Sequence, residues 1–311
     1  MRLLRSRGLL QAISMLVLAL ALPLAACGGS GSGSGATSKP GAGVTVVVGS
    51  KLDPDGQLLG EMYILLLQNQ GFTVTPKLAL GQTPVLFNAI KSGAIDIYPE
   101  FTGTAATNLN LPPSQDAQQV YSQVKSAYEQ QYQITWLDAA YGLNDSYAIC
   151  TSQAVSQKDS LTTLDQLATM GSTMTIASPQ DGIGSAVDPV QTGYNFKFKS
   201  VTQISEPLGF DAVKQGAADV NVCYTSDPAI VVNNFVVLKD SKNVFPIYNP
   251  APLVRDSVLA KSPSIATTLN ALAPKLTTSA QVALIKQVAV DHQSVKQVAQ
   301  TFLQDQGLLP K

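Results

Sequence analysis

The segment AIKSGAIDIYPEFT, from Ala89 to Thr102, is nearly repeated as AVKQGAADVNVCYT, from Ala212 to Thr225. In each copy an apolar stretch with helical spacing stops at a glycine (Gly93, Gly216). An aspartate and a strand-like apolar run follow, and an aromatic residue stands eight positions after the glycine: Phe101 in one copy, Tyr224 in the other. A helix, a glycine and a strand are common in any α/β protein, so the turn alone proves little. The matching aromatic end is what the common turn does not account for. The repeat therefore predicts two α/β lobes of similar build in one chain.

The segments upstream of each copy agree. VTVVVGS, from Val44 to Ser50, reads as a buried parallel strand. A helix follows over 57–71, ending at Gly71, then a strand in FTVTPKL and a second helix with Thr83 as N-cap, Pro84 in its first turn and Gly93 past its end. AIDIY is the third strand. TMTIAS, from Thr173 to Ser178, precedes the second copy by about the same interval as the first strand precedes the first copy. Strands alternating with helices predict a mostly parallel sheet in each lobe, flanked by helices. Ligands of open parallel sheets bind beyond the carboxyl ends of the strands, which is where Phe101 and Tyr224 fall. Two such lobes closing on a ligand would capture it rather than transform it.

Composition supports capture. The 311 residues are 45% hydrophobic and 13% charged, enough to bury a large core. The formal charge of −1 becomes −4 once Arg2, Arg5 and Arg7 of the first 26 residues are set aside, which argues against a nucleic-acid partner. The one histidine, His292, falls inside an apparently helical C-terminal stretch, where a solvated or capping role is expected. The chain has no G-x-S-x-G elbow, P-loop, G-x-G-x-x-G or Cys/His cluster with metal spacing, so neither an enzyme nor a cofactor is expected.

Residues 1–26 have a basic head and an apolar run from Ala12 to Leu22, and read as a signal peptide. Its end, LAAC, resembles a bacterial lipobox. Cleavage before Cys27 would let that residue carry lipid, and the Gly/Ser-rich tract over 27–43 would tether the folded body to the outer face of the cytoplasmic membrane. Of the remaining cysteines, Cys150 and Cys223 could be bridged in that oxidising compartment or could be buried thiols; spacing does not decide.

Four stretches, AIKSGAIDIYPEFTGT, ITWLDAAYGLNDSYAI, CYTSD and VFPIYNPAPLVR, together resemble the substrate-binding lipoproteins of ABC importers for glycine betaine, choline and related osmoprotectants. The resemblance runs from about Val44 to the C-terminus. It implies a two-lobe periplasmic-binding-protein fold of type II-like build, with lobe I over 44–145 and 249–311 and lobe II over 146–248. The two hinge crossings would lie near Tyr141–Tyr147 and Pro246–Leu253. It also implies an ABC permease with its ATPase as partner and a quaternary ammonium compound as ligand. The family's cage of aromatic rings falls on Phe101, Tyr147, Tyr224 and Tyr248. A trimethylammonium head has no proton to donate, and each well-placed ring face attracts it by about 0.5–2 kcal/mol.

The sequence departs from the family pattern at four places. Phe101 replaces a tyrosine. The segment after the first strand is Leu52-Asp53-Pro54-Asp55-Gly56, with Gln57 displaced by one. Pro179, in PQDG, holds the place of an arginine expected to clamp a ligand carboxylate, and Asp145 stands where asparagine is usual. Lys51 and Thr104 could still meet a carboxylate, whereas Asp145 would favour a cation without one, such as choline. An amino acid or polyamine is the competing ligand class, and it would need acidic and basic clamps in place of rings.

Overall fold

The computed structural model describes residues 38–112 and 114–311; the expected signal peptide over 1–26 and the expected lipidation site Cys27 lie outside the described residues. Among the described residues ten strands form two five-stranded sheets. They are β1 (Thr45–Lys51), β2 (Thr73–Gly81), β3 (Ile97–Phe101), β4 (Ile134–Trp136), β5 (Tyr147–Ser152), β6 (Thr175–Ser178), β7 (Ser200–Gln203), β8 (Val220–Tyr224), β9 (Phe235–Val237) and β10 (Pro250–Arg255). The first sheet has the order β2-β1-β3-β10-β4 and the second β7-β6-β8-β5-β9. The two orders are equivalent strand for strand.

Each sheet is mixed. Three strands run parallel, and two more, β10 with β4 and β5 with β9, complete the sheet through antiparallel pairing. The expected parallel arrangement thus covers the βαβ portion of each sheet. The antiparallel portion arises because the chain leaves the first sheet after β4, enters the second at β5, and returns from β9 to β10. A strand arriving from the other sheet needs no crossover helix and can run in the opposite direction.

Local chemistry sets the helices. In α1 (Pro54–Asn69), Asp53 is the N-cap, accepting from the Gly56 N–H at 2.6 Å, and Pro54 opens the first turn, so the helix starts three residues before the predicted 57. In α2 (Thr83–Ser92) the N-cap is Gln82, without a side-chain cap bond, and Thr83 is already helical, contrary to the expected Thr83 cap. Pro84 holds the first turn and Gly93 ends the helix at φ 78°. Its repeat counterpart Gly216 has φ 71°, a left-handed conformation that glycine adopts without strain. The C-terminal stretch is two helices, Thr278–Ala289 and Val295–Asp305, not one. The exposed His292 sits in the break with φ 54°, and Ser294 caps the second helix by accepting from Gln297 N–H.

The repeat also extends to its hydrogen bonds. Asp96 N–H donates to Val47 O at 2.8 Å while its Oδ2 accepts from Val47 N–H at 2.9 Å. Asp219 does the same with Thr175, at 3.0 and 2.7 Å. Each aspartate ties the start of one strand to its parallel neighbour. The pairs β1 with β3 and β6 with β8 are thereby aligned alike, and the two central repeat strands deliver their last residues to the equivalent carboxyl-end edge of each sheet.

Candidate ligand-binding site

At that edge the repeat ends on Phe101-Thr102 and Tyr224-Thr225. Thr102 N–H donates to Asn249 O and Thr102 Oγ1 accepts from Asn249 N–H, both at 3.0 Å. Thr225 N–H donates to Ser146 O at 2.9 Å and its Oγ1 accepts from Ser146 N–H at 3.0 Å. The two threonines therefore clamp the two chain crossings in the same way. Asn249 precedes β10 and Ser146 precedes β5, so the clamp sets where each returning strand begins. The crossings are also tied to each other: Asp145 N–H donates to Tyr248 O at 3.0 Å, and Tyr248 N–H donates to Asn144 Oδ1 at 2.8 Å.

This geometry brings three rings together. Tyr147 opens β5 directly opposite Tyr224, the last residue of β8, and their ring centroids lie 4.8 Å apart at 37°. Tyr248 meets Tyr147 edge-on, at 5.5 Å and 85°. Tyr147 and Tyr248 are buried and Tyr224 is half-buried. Burial pushes the phenols of Tyr147 and Tyr248 upward, the latter to about 12, so both rings are neutral at physiological pH. Phe101 ends β3 in the first sheet, buried, with Lys51 Nζ 5.4 Å from its ring centroid. Gly103 lies against the Tyr248 ring so closely that a Cβ there would come within 2.7 Å of three ring carbons.

The expected polar residues are placed less uniformly. Lys51 ends β1 and is paired with Glu100 Oε1; the two side chains are 8% and 1% exposed. Glu100 Oε1 also accepts from Phe101 N–H at 2.8 Å, and Tyr98 Oη donates to Oε2 at 3.3 Å. Lys51 is therefore already engaged by a buried carboxylate. Thr104 is half-buried in α3 (Thr102–Asn108). Asp145 is half-buried, accepts from Ser226 Oγ, and is raised to about 6 by burial, with Ser226 opposing that shift. Cys150 and Cys223 are bonded to each other, with Cα atoms 5.9 Å apart. The bridge runs diagonally across β5 and β8, since Cys150 lies opposite Asn221 and Cys223 opposite Ala148.

Sequence reading did not pick out Glu100, Gly103 or Asp181. The first two sit inside the quoted IYPEFTGT, and Asp181 inside PQDG, so the signal was present in the motifs. Tyr147 Oη lies 3.5 Å from Asp181 Oδ2. A cavity of about 250 Å³ opens beside the crossings and is lined by Ser146, Tyr147, Thr225, Lys239 and Phe245 among others. It meets the ring set at Tyr147. Among the described residues no group of His, Cys, Asp or Glu could hold a metal ion, and no helix is long and apolar enough to cross a membrane.

Residues 44–305 match the family described as the substrate-binding domain of the ABC-type glycine betaine transport system. The glycine betaine-binding protein YehZ of Escherichia coli is 33% identical over 277 residues, covering 84% of this chain and 90% of that protein. The carnitine transport binding protein OpuCC of Listeria monocytogenes is 28% identical, with 84% and 86% covered. Among solved structures, apo YehZ aligns with a TM-score of 0.66 at 30% identity, covering 85% of this chain and 99% of that one. A glycine betaine/carnitine/choline ABC transporter structure aligns at 0.72, with the same coverage and 24% identity, a likeness of fold.

Proposed function

The chain belongs to the substrate-binding domains of ABC-type glycine betaine transport systems, and from that premise we propose that it captures a quaternary ammonium compound in a cage formed by Phe101, Tyr147, Tyr224 and Tyr248. Choline, glycine betaine and carnitine are the candidate ligands. The observation that carries the reading is the meeting of three tyrosine rings, contributed by β5, β8 and the return crossing, at one end of the second sheet. Packed phenols of this kind supply the ring faces that a diffuse cation seeks.

In this reading residues 44–145 with 249–311 form lobe I and residues 146–248 form lobe II, and closure brings Phe101 of the first lobe toward the tyrosines. The protein hands its ligand to an ABC permease and its ATPase and performs no chemistry on it. Residues 1–26 direct export, and lipid on Cys27 holds the body at the outer face of the membrane. Isothermal titration with choline, glycine betaine, carnitine and proline betaine tests the central claim. Binding of at least one supports it. Binding of none of them, with uptake of an amino acid or polyamine instead, replaces it with the competing ligand class, and turnover of any bound compound would make the protein an enzyme.

A further inference from the structure

The repeat accounts for both threonine clamps but not for one bond between the crossings. Thr102 Oγ1 donates to Ile247 O at 3.3 Å and Thr225 Oγ1 donates to Asn144 O at 3.0 Å, so Ile247 and Asn144 hold equivalent places in the two crossings. Ile247 has no polar side chain. Asn144 has one, and its Oδ1 accepts from Tyr248 N–H at 2.8 Å. Tyr248 is buried, so its N–H needs a partner inside the protein. Among the described residues, the backbone-to-backbone bond between 144–146 and 246–248 is Asp145 N–H to Tyr248 O. The other ties there pass through side chains: Asn144 to Tyr248, and Ser146 Oγ to Pro246 O at 2.9 Å. Pro246 has no N–H with which to continue a ladder.

Asn144 is also gripped from two sides through its backbone. Its N–H donates to Thr278 Oγ1 at 3.0 Å, and its O accepts from the same hydroxyl at 3.3 Å. Thr278 opens the helix Thr278–Ala289, whose Gln281 Nε2 donates to Asp55 Oδ1 of α1 at 2.7 Å. Thr225, just past β8, holds the same carbonyl from the second sheet. The backbone of Asn144 is thus fixed to both halves of the molecule, and its side chain reaches the return crossing. A bond through a rotatable side chain lets one crossing turn against the other while Tyr248 stays paired, which a continuous backbone ladder would resist. We propose that Asn144 is a positioning residue for ligand capture: its side-chain oxygen ties the return crossing to the clamped one and so keeps Tyr248 in place against Tyr147 as the lobes close. The inference rests on the cage and two-lobe reading above, and adds a residue that acts through Tyr248.

Replacing the side chain leaves the backbone bonds to Thr225 and Thr278 in place, so variants at this position isolate the tie to Tyr248. The test is calorimetric titration of wild type, Asn144→Ala and Asn144→Asp with choline, glycine betaine, carnitine and proline betaine, together with thermal melting without ligand. Asn144→Ala removes the acceptor and should weaken binding of whichever compound the wild type takes by about tenfold. Asn144→Asp keeps an oxygen in the place of Oδ1 and should bind close to wild type. Should Asn144→Ala fail to fold, Asn144→Ser, whose oxygen is too short to reach Tyr248 N–H, takes its place in the comparison. A truncated variant that melts earlier but binds as tightly as wild type has lost only a structural bond, and overturns the inference while leaving the cage standing. So does an Asn144→Asp variant that loses as much affinity as the truncated one. Binding of none of the four compounds by the wild type overturns the cage itself, and the inference with it.

Discussion

Tyr147 and Tyr224 face each other across β5 and β8 as a direct cross-strand pair, with ring centroids 4.8 Å apart. Tyr147 also meets Tyr248, so it is the shared member of the ring set and Tyr224 is its half-buried flank. Tyr224→Ala should remove one ring face and admit water, weakening quaternary ammonium binding by about 1–3 kcal/mol, or tenfold and more. Tyr224→Phe should cost far less, because Phe101 occupies the equivalent repeat position without a hydroxyl. Titration of the two variants checks this, and equal losses from both would place the energy in the hydroxyl instead of the ring.

Gly103 gives an independent handle on Tyr248. A methyl group at this position would overlap the Tyr248 ring, which also meets Tyr147 edge-on and is fixed through its backbone by Asn144. Gly103→Ala should displace the ring, lower ligand affinity about tenfold and cost about 1–3 kcal/mol of stability, the usual range for overpacking. An alanine variant with wild-type affinity would mean that Tyr248 is not needed in its present position.

The buried Lys51–Glu100 pair should behave asymmetrically toward its own variants. Glu100→Gln leaves an ammonium without its countercharge at a side chain only 8% exposed, and should destabilise by about 3–5 kcal/mol. The double variant Lys51→Met/Glu100→Gln removes both charges and should recover most of that loss. Urea unfolding of the single and double variants measures the difference. Equal destabilisation of the two would show that the hydrogen bonds of Glu100 to Phe101 and Tyr98, not its charge pair, hold this edge together.

Much of this arrangement was legible in the sequence, and the omissions have physical causes. The repeat pointed to two similar sheets because helix end, aspartate and aromatic tip all stand within one short stretch, although the partners that the aspartates tie, Val47 and Thr175, lie more than 40 residues away. The antiparallel halves were not legible, since β10 pairs with β3 across about 150 residues and nothing in PAPLVR names its partner. The four rings stood in recognisable motifs, but that Lys51 was already spoken for depended on Glu100, 49 residues away. The break at His292 was missed because apolar spacing continues across it, although Ser294 followed by Gln297 is a cap signal.

The Cys150–Cys223 bridge ties the same two strands that carry Tyr147 and Tyr224. It closes a loop of 73 residues, for which chain-entropy arguments give about 4 kcal/mol at most, with about 2–4 typical. Replacing both cysteines by alanine should lower stability by that amount. It should weaken ligand binding only modestly, because five strands with β8 at their centre still fix the register. Unfolding midpoints with and without reductant, on wild type and the double variant, check this: reductant should move only the wild type. A wild type insensitive to reductant under conditions that open the bridge would remove its stabilising role.

Asp145 and Asp227 provide a pH signature. Both carboxyls are raised to about 6, chiefly by burial, whereas an unfolded aspartate titrates near 4. Below pH 4 both folded and unfolded states hold the protons and neither group affects stability. Between about pH 4 and 6 the folded state keeps protons that the unfolded state has lost, so the contribution of these two groups makes the protein less stable as pH rises. Above 6 both states are ionised and the cost of burying the charges is constant. Both residues are half-buried, which limits the cost to on the order of 1 kcal/mol each. Asp145→Asn keeps an acceptor for Ser226 and removes the charge, so it should raise stability at pH 7 and change it little at pH 4. Urea unfolding of wild type and variant at the two pH values measures this. A stabilisation of equal size at both would mean that packing, not ionisation, is responsible.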